Sequence, residues 1–266
     1  KKLNRLSVDS IGFADRADWA CLTLKKMSAW KADLWFISTR DAENTKTGDS
    51  MKHTRLPLKL IRQVKGFMDE EEGMFLYEAA REASSKGPCL EVGSYCGKSA
   101  VYLGLGCKAH NGVLFSIDHH RGSEEQQPGQ EYFDPELADP LSGGINTFSL
   151  FRKTIQQADL EDTIVPLVCT SALAARSWAT PLSLIFIDGG HAWETVYTDY
   201  ICWAGHLMPG GYLLIHDLFE NPAEGGQAPF RAYQLALASG LFIEMPRVKT
   251  LGVLKKRKAG ELIPVY

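Results

Sequence analysis

"PCLEVGSYCGKSAVYLG", residues 88–104, is the stretch whose reading decides the fold. An apolar-rich run, CLEV, leads into a turn marked by Gly93 and Gly97, and apolar residues at helical spacing follow. Strand, glycine turn and helix in that order open a βαβ unit. Gly97-Lys98-Ser99 looks like the end of a phosphate-binding loop. That loop needs four residues between its first glycine and Gly-Lys-Ser, whereas only Ser94, Tyr95 and Cys96 separate Gly93 from Gly97. Glu91, at the end of the run, would repel a triphosphate. A dinucleotide turn needs Gly-x-Gly-x-x-Gly so that the backbone can approach a pyrophosphate at a helix N-terminus. Its middle glycine is missing here. Taken alone, the stretch could be an ordinary strand, turn and helix.

The surrounding chain extends the pattern. Short apolar runs at 89–92, 113–117, 164–168, 184–187 and 211–215 suit parallel strands buried on both faces. Helical spacing falls between them at about 98–108, 147–158, 172–178 and 192–207. A further helix near 230–239 and late strands near 241–245 and 250–255 close the series. "PLKLIRQVKGFM" (57–68) and "EEEGMFLYEAAREASS" (70–85) read as amphipathic helices ahead of the first strand. This alternation predicts an α/β fold, a doubly wound Rossmann-like sheet with helices on both faces. Ligands of such sheets sit at the carboxyl ends of the strands.

Bulk composition excludes several classes. The 266 residues are 45% apolar and 23% charged, with a formal charge of −3. That balance gives no reason to expect nucleic acid or an anionic membrane as partner. No run approaches the roughly 20 apolar residues of a membrane span, and "KKLNRLSVDS" lacks a signal-peptide core. The six cysteines (Cys21, Cys89, Cys96, Cys107, Cys169, Cys202) form no Cys-x-x-Cys pair and read as reduced thiols. A cytoplasmic protein is expected. Residues 1–50 carry no clean period, and "STRDAENTKTGDS" (38–50) is linker-like. They are read as an N-terminal extension without assigned role, a linker or an artefact.

A second motif changes the weighing of the first. "SIDHH" ends the next strand and places Asp118 about 20 residues past the glycine turn, where Rossmann-type folds keep a carboxylate for a ribose diol. Glu91, Gly93, Gly97 and Asp118 together suit an adenosine ligand that carries positive charge and no phosphate. S-adenosylmethionine has that chemistry.

On these residues the chain resembles the class I S-adenosylmethionine-dependent methyltransferases. "LEVGSYCGKSAVYLG" is similar to their first motif and "FSIDHH" to their second. "LIFIDGGHAWETVYTDYICWAGHLMPGGYLLIHD" (184–217) resembles the O-methyltransferase branch called methyltransferase family 24. The resemblance spans about 70–255. It departs at Gly190, where the family commonly has an acid. It implies a seven-stranded sheet with an antiparallel last strand, a methyltransferase domain over 51–258 with a helical cap, and a tail at 259–266. It also implies cofactor contacts from Glu91, Gly93, Ser94, Gly97, Asp118, Thr170, Ser171 and Asp188. Thr170 and Ser171 would stand at the adenine edge. The expected activity is O-methylation of a small-molecule or sugar-like acceptor. An NAD(P)-dependent oxidoreductase and a non-catalytic S-adenosylmethionine-binding protein are the alternatives, and homo-oligomeric assembly stays open.

Methyl transfer is an in-line displacement, so the protein must align the reactants and make a hydroxyl nucleophilic. Two devices are legible. Asp188, His216 and Asp217, at the ends of adjacent strands, could hold a divalent ion such as magnesium or manganese. A structural role in the loops is the simpler alternative. His191 could instead act as general base with Asp188 orienting it, the plainer reading being a helix-capping or core histidine. The polar stretch 119–146, with His119, His120, Glu124 and Glu125, is too long for a plain connection and is read as a solvated loop over the acceptor. Trp193 and Trp203 read as core.

Overall fold

The structure, a computed structural model, describes residues 56–258 and Gly260. The extension assigned to 1–50 and nearly all of the tail lie outside the described residues. Seven strands form one sheet: β1 (Cys89–Val92), β2 (Leu114–Ile117), β3 (Ile164–Leu167), β4 (Leu182–Ile187), β5 (Leu207–Ile215), β6 (Phe242–Val248) and β7 (Leu251–Lys256). Their order is β3-β2-β1-β4-β5-β7-β6. β1 pairs in parallel with both β2 and β4, while β7 runs antiparallel to β5 and β6. The expected strands and the antiparallel last strand are all present. Strand order reverses between β1 and β4, which makes their carboxyl ends the switch point where a ligand cleft opens.

Burial explains why β1 and β4 read as unbroken apolar runs: every residue of both is buried. One core layer packs Leu76, Tyr102, Phe151 and Phe186 beneath α2 (Glu70–Ser84), α3 (Lys98–Lys108) and α4 (Phe148–Gln157). The opposite layer packs Leu90, Ile185, Trp203 and Tyr233 beneath α5 (Ser171–Ala175), α6 (Trp193–Trp203) and α7 (Ala228–Ala238). Each such side chain, fully buried, contributes about 1.5–3 kcal/mol. The α2–α3 contact depends on Gly73, where an added Cβ would lie 2.2 Å from the Tyr102 ring. Asp69 caps α2 by accepting from the Glu71 amide at 2.8 Å. The described cysteines are free thiols, and no helix among the described residues is long and apolar enough to cross a membrane.

Two segments differ from expectation, the second only in part. Only Leu58–Ile61 of the 57–68 segment is helical (α1). Gly66, at φ 147°, turns the chain so that Lys65–Met68 lie along the cleft. The Lys98 ammonium donates to the Gly66 carbonyl at 3.0 Å, and Lys65 pairs with Asp134 and Glu136. The 119–146 loop is solvated over most of its length, as expected, but it is anchored at a few buried points. Its Leu137 and Ile145 are buried with Val64 and Cys96, and Ala138 bridges to Ile145. His120 is buried between the Phe148 and Phe151 rings, its Nδ1 2.7 Å from Thr147 Oγ1.

Candidate active site

A cavity of about 1020 Å³ opens at the carboxyl ends of β1, β2, β4 and β5. Gly93, Ser94, Asp118, Thr170, Ser171 and Asp188 all line it. Gly97 stands behind them as the residue before α3, at φ 93°. Gly93, at φ 87°, admits no side chain, because a Cβ there would lie 2.1 Å from the Asp188 carbonyl oxygen. The glycine therefore lets the β1 turn rest on the end of β4.

The turn's amides answer the phosphate question. The backbone N–H groups of Ser94 and Tyr95 both donate to Asp118 Oδ2, at 3.0 and 2.8 Å, and His120 N–H donates to Oδ1 at 2.7 Å. Amides that a phosphate would need hold a carboxylate of the chain itself. A nucleotide phosphate brought there would meet negative charge. Asp118 retains free lone-pair capacity on Oδ1 and faces the cavity. Beside it Ser94 lines the cavity, and its hydroxyl is buried with no hydrogen-bond partner. These residues fit an uncharged ribose joined to a cationic group.

Glu91 does not reach the cavity. It is 0% exposed, because alternation along β1 turns Cys89 and Glu91 toward α3 while Leu90 and Val92 face the other layer. Its oxygens accept from Ser99 Oγ at 2.5 Å and Ser116 Oγ at 2.7 Å. Burial pushes its carboxyl up to about 8. The expected cofactor contact is thus a buried support under the turn, and Ser99, which reads in the sequence as a mere helix opener, lines the cavity instead.

At the opposite end, Ser171 Oγ accepts from Trp203 Nε1 at 2.7 Å. Asp199, on α6, is 4% exposed and also lines the cavity. Burial raises its carboxyl to about 6, against the hydrogen bond from Ser171.

Imidazoles and carboxylates alternate across the wall formed by the β4 and β5 ends. His191 Nε2 lies 3.0 Å from Asp217 Oδ2, and its Nδ1 lies 3.0 Å from Glu125 Oε2. Hydrogen bonding to Asp217, opposed by burial, leaves the His191 ring raised to about 9. The sequence reads Asp188 as orienting His191, whereas the partners of that ring are Asp217 and Glu125. Asp188 pairs instead with His216, at 3.1 Å from Nδ1. The reason is the backbone: the β4–β5 register sets Ile187 opposite Ile215, so the residues that follow, Asp188 and His216, meet. His216 is 5% exposed, with Nδ1 also 3.4 Å from Asp217 Oδ2 and Nε2 3.0 Å from Glu72 Oε2. Burial opposes charge on both His216 and Asp217. The surrounding ion pairs outweigh it, raising the ring and holding Asp217 well below the usual carboxylate range. Asp217 sits at φ 57°, an uncommon backbone conformation that aims its carboxylate back at both histidines.

Ligand atoms of Asp188, His216 and Asp217 lie within 4.8 Å of one another. The 3.1 and 3.4 Å spacings about His216 Nδ1 match the ~3 Å between adjacent donors of an octahedral ion bonded at ~2.1 Å. The donor set fits a divalent ion. At Gly190 an added Cβ would press on Glu124 Oε2 at 3.1 Å and touch Ser123 Cβ at 3.4 Å, so an acid there would crowd the loop and face a like charge. The 119–146 loop occupies that position, and Glu125, from the same loop, supplies the carboxylate on the outer side of His191.

The sheet order, the switch-point cavity and the phosphate-excluding turn define a class I S-adenosylmethionine-dependent methyltransferase. Residues 90–218 match the family described as Methyltransferase domain. The fold is shared with an O-methyltransferase from Bacillus cereus in complex with SAH: TM-score 0.50, 16% identity, covering 76% of this chain and 88% of that one. It is shared with the O-methyltransferase NovP, at TM-score 0.54 and 15% identity over 71% of this chain and 79% of that one. SAH-bound methyltransferase PaMTH1 from Podospora anserina aligns at TM-score 0.54 and 12% identity, covering 94% of this chain and 100% of that one. At these identities the likeness is one of fold.

Proposed function

We propose that this protein transfers the methyl group of S-adenosylmethionine to a hydroxyl oxygen of a small-molecule or sugar-like acceptor. The observation that carries this reading is the cluster of Asp188, His191, His216 and Asp217, which opens onto the same cavity as the glycine turn. Asp118 and Ser94 would take the ribose, while Thr170 and Ser171 border the adenine. The acceptor would enter between the 119–146 loop and His191.

Asp188, His216 and Asp217 would hold a divalent ion, whose Lewis acidity lowers the pKa of a coordinated hydroxyl. His191 moves the proton. Its ring stands between Asp217, inside, and Glu125, whose side chain is 43% exposed. Nε2–H stays bonded to Asp217, while Nδ1, on the side where the acceptor would enter, first gives its proton to Glu125 and solvent and then takes the acceptor's hydroxyl proton. The acceptor oxygen bonds the methyl carbon as the carbon–sulfur bond breaks, leaving S-adenosylhomocysteine. The likeness to O-methyltransferase folds supports oxygen as the methylated atom.

Incubating the protein with methyl-labelled S-adenosylmethionine and a panel of hydroxylated acceptors, with and without EDTA, tests this. Label on an acceptor oxygen is expected. Binding of S-adenosylmethionine with no transfer to any acceptor would favour a non-catalytic binding protein, and uptake of NAD in its place would favour an oxidoreductase.

A further inference from the structure

Glu72 lies far from the sequence motifs, in the first turn of α2, yet it is 2% exposed and reaches the end of β5. One oxygen, Oε2, lies 3.0 Å from His216 Nε2. The other, Oε1, accepts from the Thr250 amide at 2.8 Å and the Thr250 hydroxyl at 2.7 Å. Thr250, in the β6–β7 turn, therefore stops the carboxylate from rotating. The carboxylate in turn fixes the His216 ring with Nε2–H pointing away from the cavity and Nδ1 facing Asp188 and Asp217. A carboxylate on the outer nitrogen of a histidine selects the tautomer that offers the inner nitrogen to a metal, and raises its basicity.

Donor chemistry follows. Two carboxylates and one imidazole are a softer set than the all-oxygen shell magnesium prefers, and imidazole suits first-row transition ions. We propose that Glu72 is a positioning residue that fixes His216 as a nitrogen ligand, so that Asp188, His216 and Asp217 take a manganese-class ion in preference to magnesium. The proposal rests on the metal reading given above.

The test titrates manganese alone, and magnesium in competition, into the full chain without cofactor, following free manganese by electron paramagnetic resonance. Wild type should bind manganese at least tenfold tighter than magnesium. Glu72→Leu should weaken manganese 10- to 100-fold and bring the two affinities toward equality. Glu72→Gln, which keeps an acceptor for Nε2–H, should fall between. A purely structural Glu72 would weaken both ions alike and leave their ratio unchanged. His216→Asp, which makes the site all oxygen, should abolish the manganese preference even if Glu72→Leu does not fold. Equal affinities for both ions that depend on Asp188 but not on Glu72 would overturn the proposal and leave the metal reading standing. Binding of neither ion would end both, while S-adenosylhomocysteine affinity reports separately on the methyltransferase site.

Discussion

Asp118 Oδ2 lies 2.8 Å from the Tyr95 amide, so the carboxylate that follows β2 is bound into the turn that follows β1. The same group shapes the turn and faces the ligand space. Asp118→Ala should therefore lose both functions. Hydrogen bonds to a charged group contribute about 1.5–3 kcal/mol each, so S-adenosylhomocysteine affinity should fall at least tenfold and thermal stability should drop. Calorimetric titration beside a melting curve checks both. Unchanged affinity would remove Asp118 from the cofactor site.

Glu91 gives a pH dependence with a defined sign. Its carboxyl is raised from an ordinary 4.5 to about 8 by burial. The unfolded chain gives up that proton above ~4.5 while the folded protein keeps it, so stability is lost progressively as pH climbs toward 8. Glu91→Gln has no proton to lose. It should differ little from wild type at pH 5 and be more stable by roughly 2–4 kcal/mol at pH 8. Urea unfolding at the two pH values measures this, and a difference that does not vary with pH would contradict it.

Gly190→Asp asks whether the loop or an acid owns that position. The new side chain would crowd Glu124 and Ser123 and place like charges together. We expect faster proteolytic cleavage within 119–146, and no gain in activity. Cleavage at the wild-type rate would show that the loop does not rest on Gly190.

His191→Asn keeps polarity but removes the ring between Asp217 and Glu125. Turnover should fall by about 10²–10⁴, the usual contribution of a positioned acid or base, with S-adenosylhomocysteine affinity unchanged. Retained turnover would assign the proton to another group.

The sheet was legible because β1 and β4 are buried on both faces, which leaves continuous apolar runs, and because glycines mark the turns. The cofactor end was legible through the spacing of Gly93, Gly97 and Asp118. Partners set by the third dimension were not. Glu72 stands in the triplet Glu70-Glu71-Glu72, and nothing local tells the buried one from its exposed neighbours. Glu91 read as a cofactor contact because a strand-end acid looks the same on either face of the sheet. Asp199 left a signal that could have been used: it falls on the buried stripe of α6 between Val196 and Trp203, where an acid is out of place unless it has a partner or a ligand. The 57–68 segment leaves the helix after Ile61, and Gly66, at φ 147°, keeps it from resuming.

Parallel calorimetric titration of the purified full chain with S-adenosylhomocysteine, ATP and NAD tests the central claim most directly. Saturable binding of S-adenosylhomocysteine alone is the expected result. Binding of ATP or NAD with S-adenosylhomocysteine ignored would contradict it, because the Ser94 and Tyr95 amides would then have to release Asp118 to hold a phosphate.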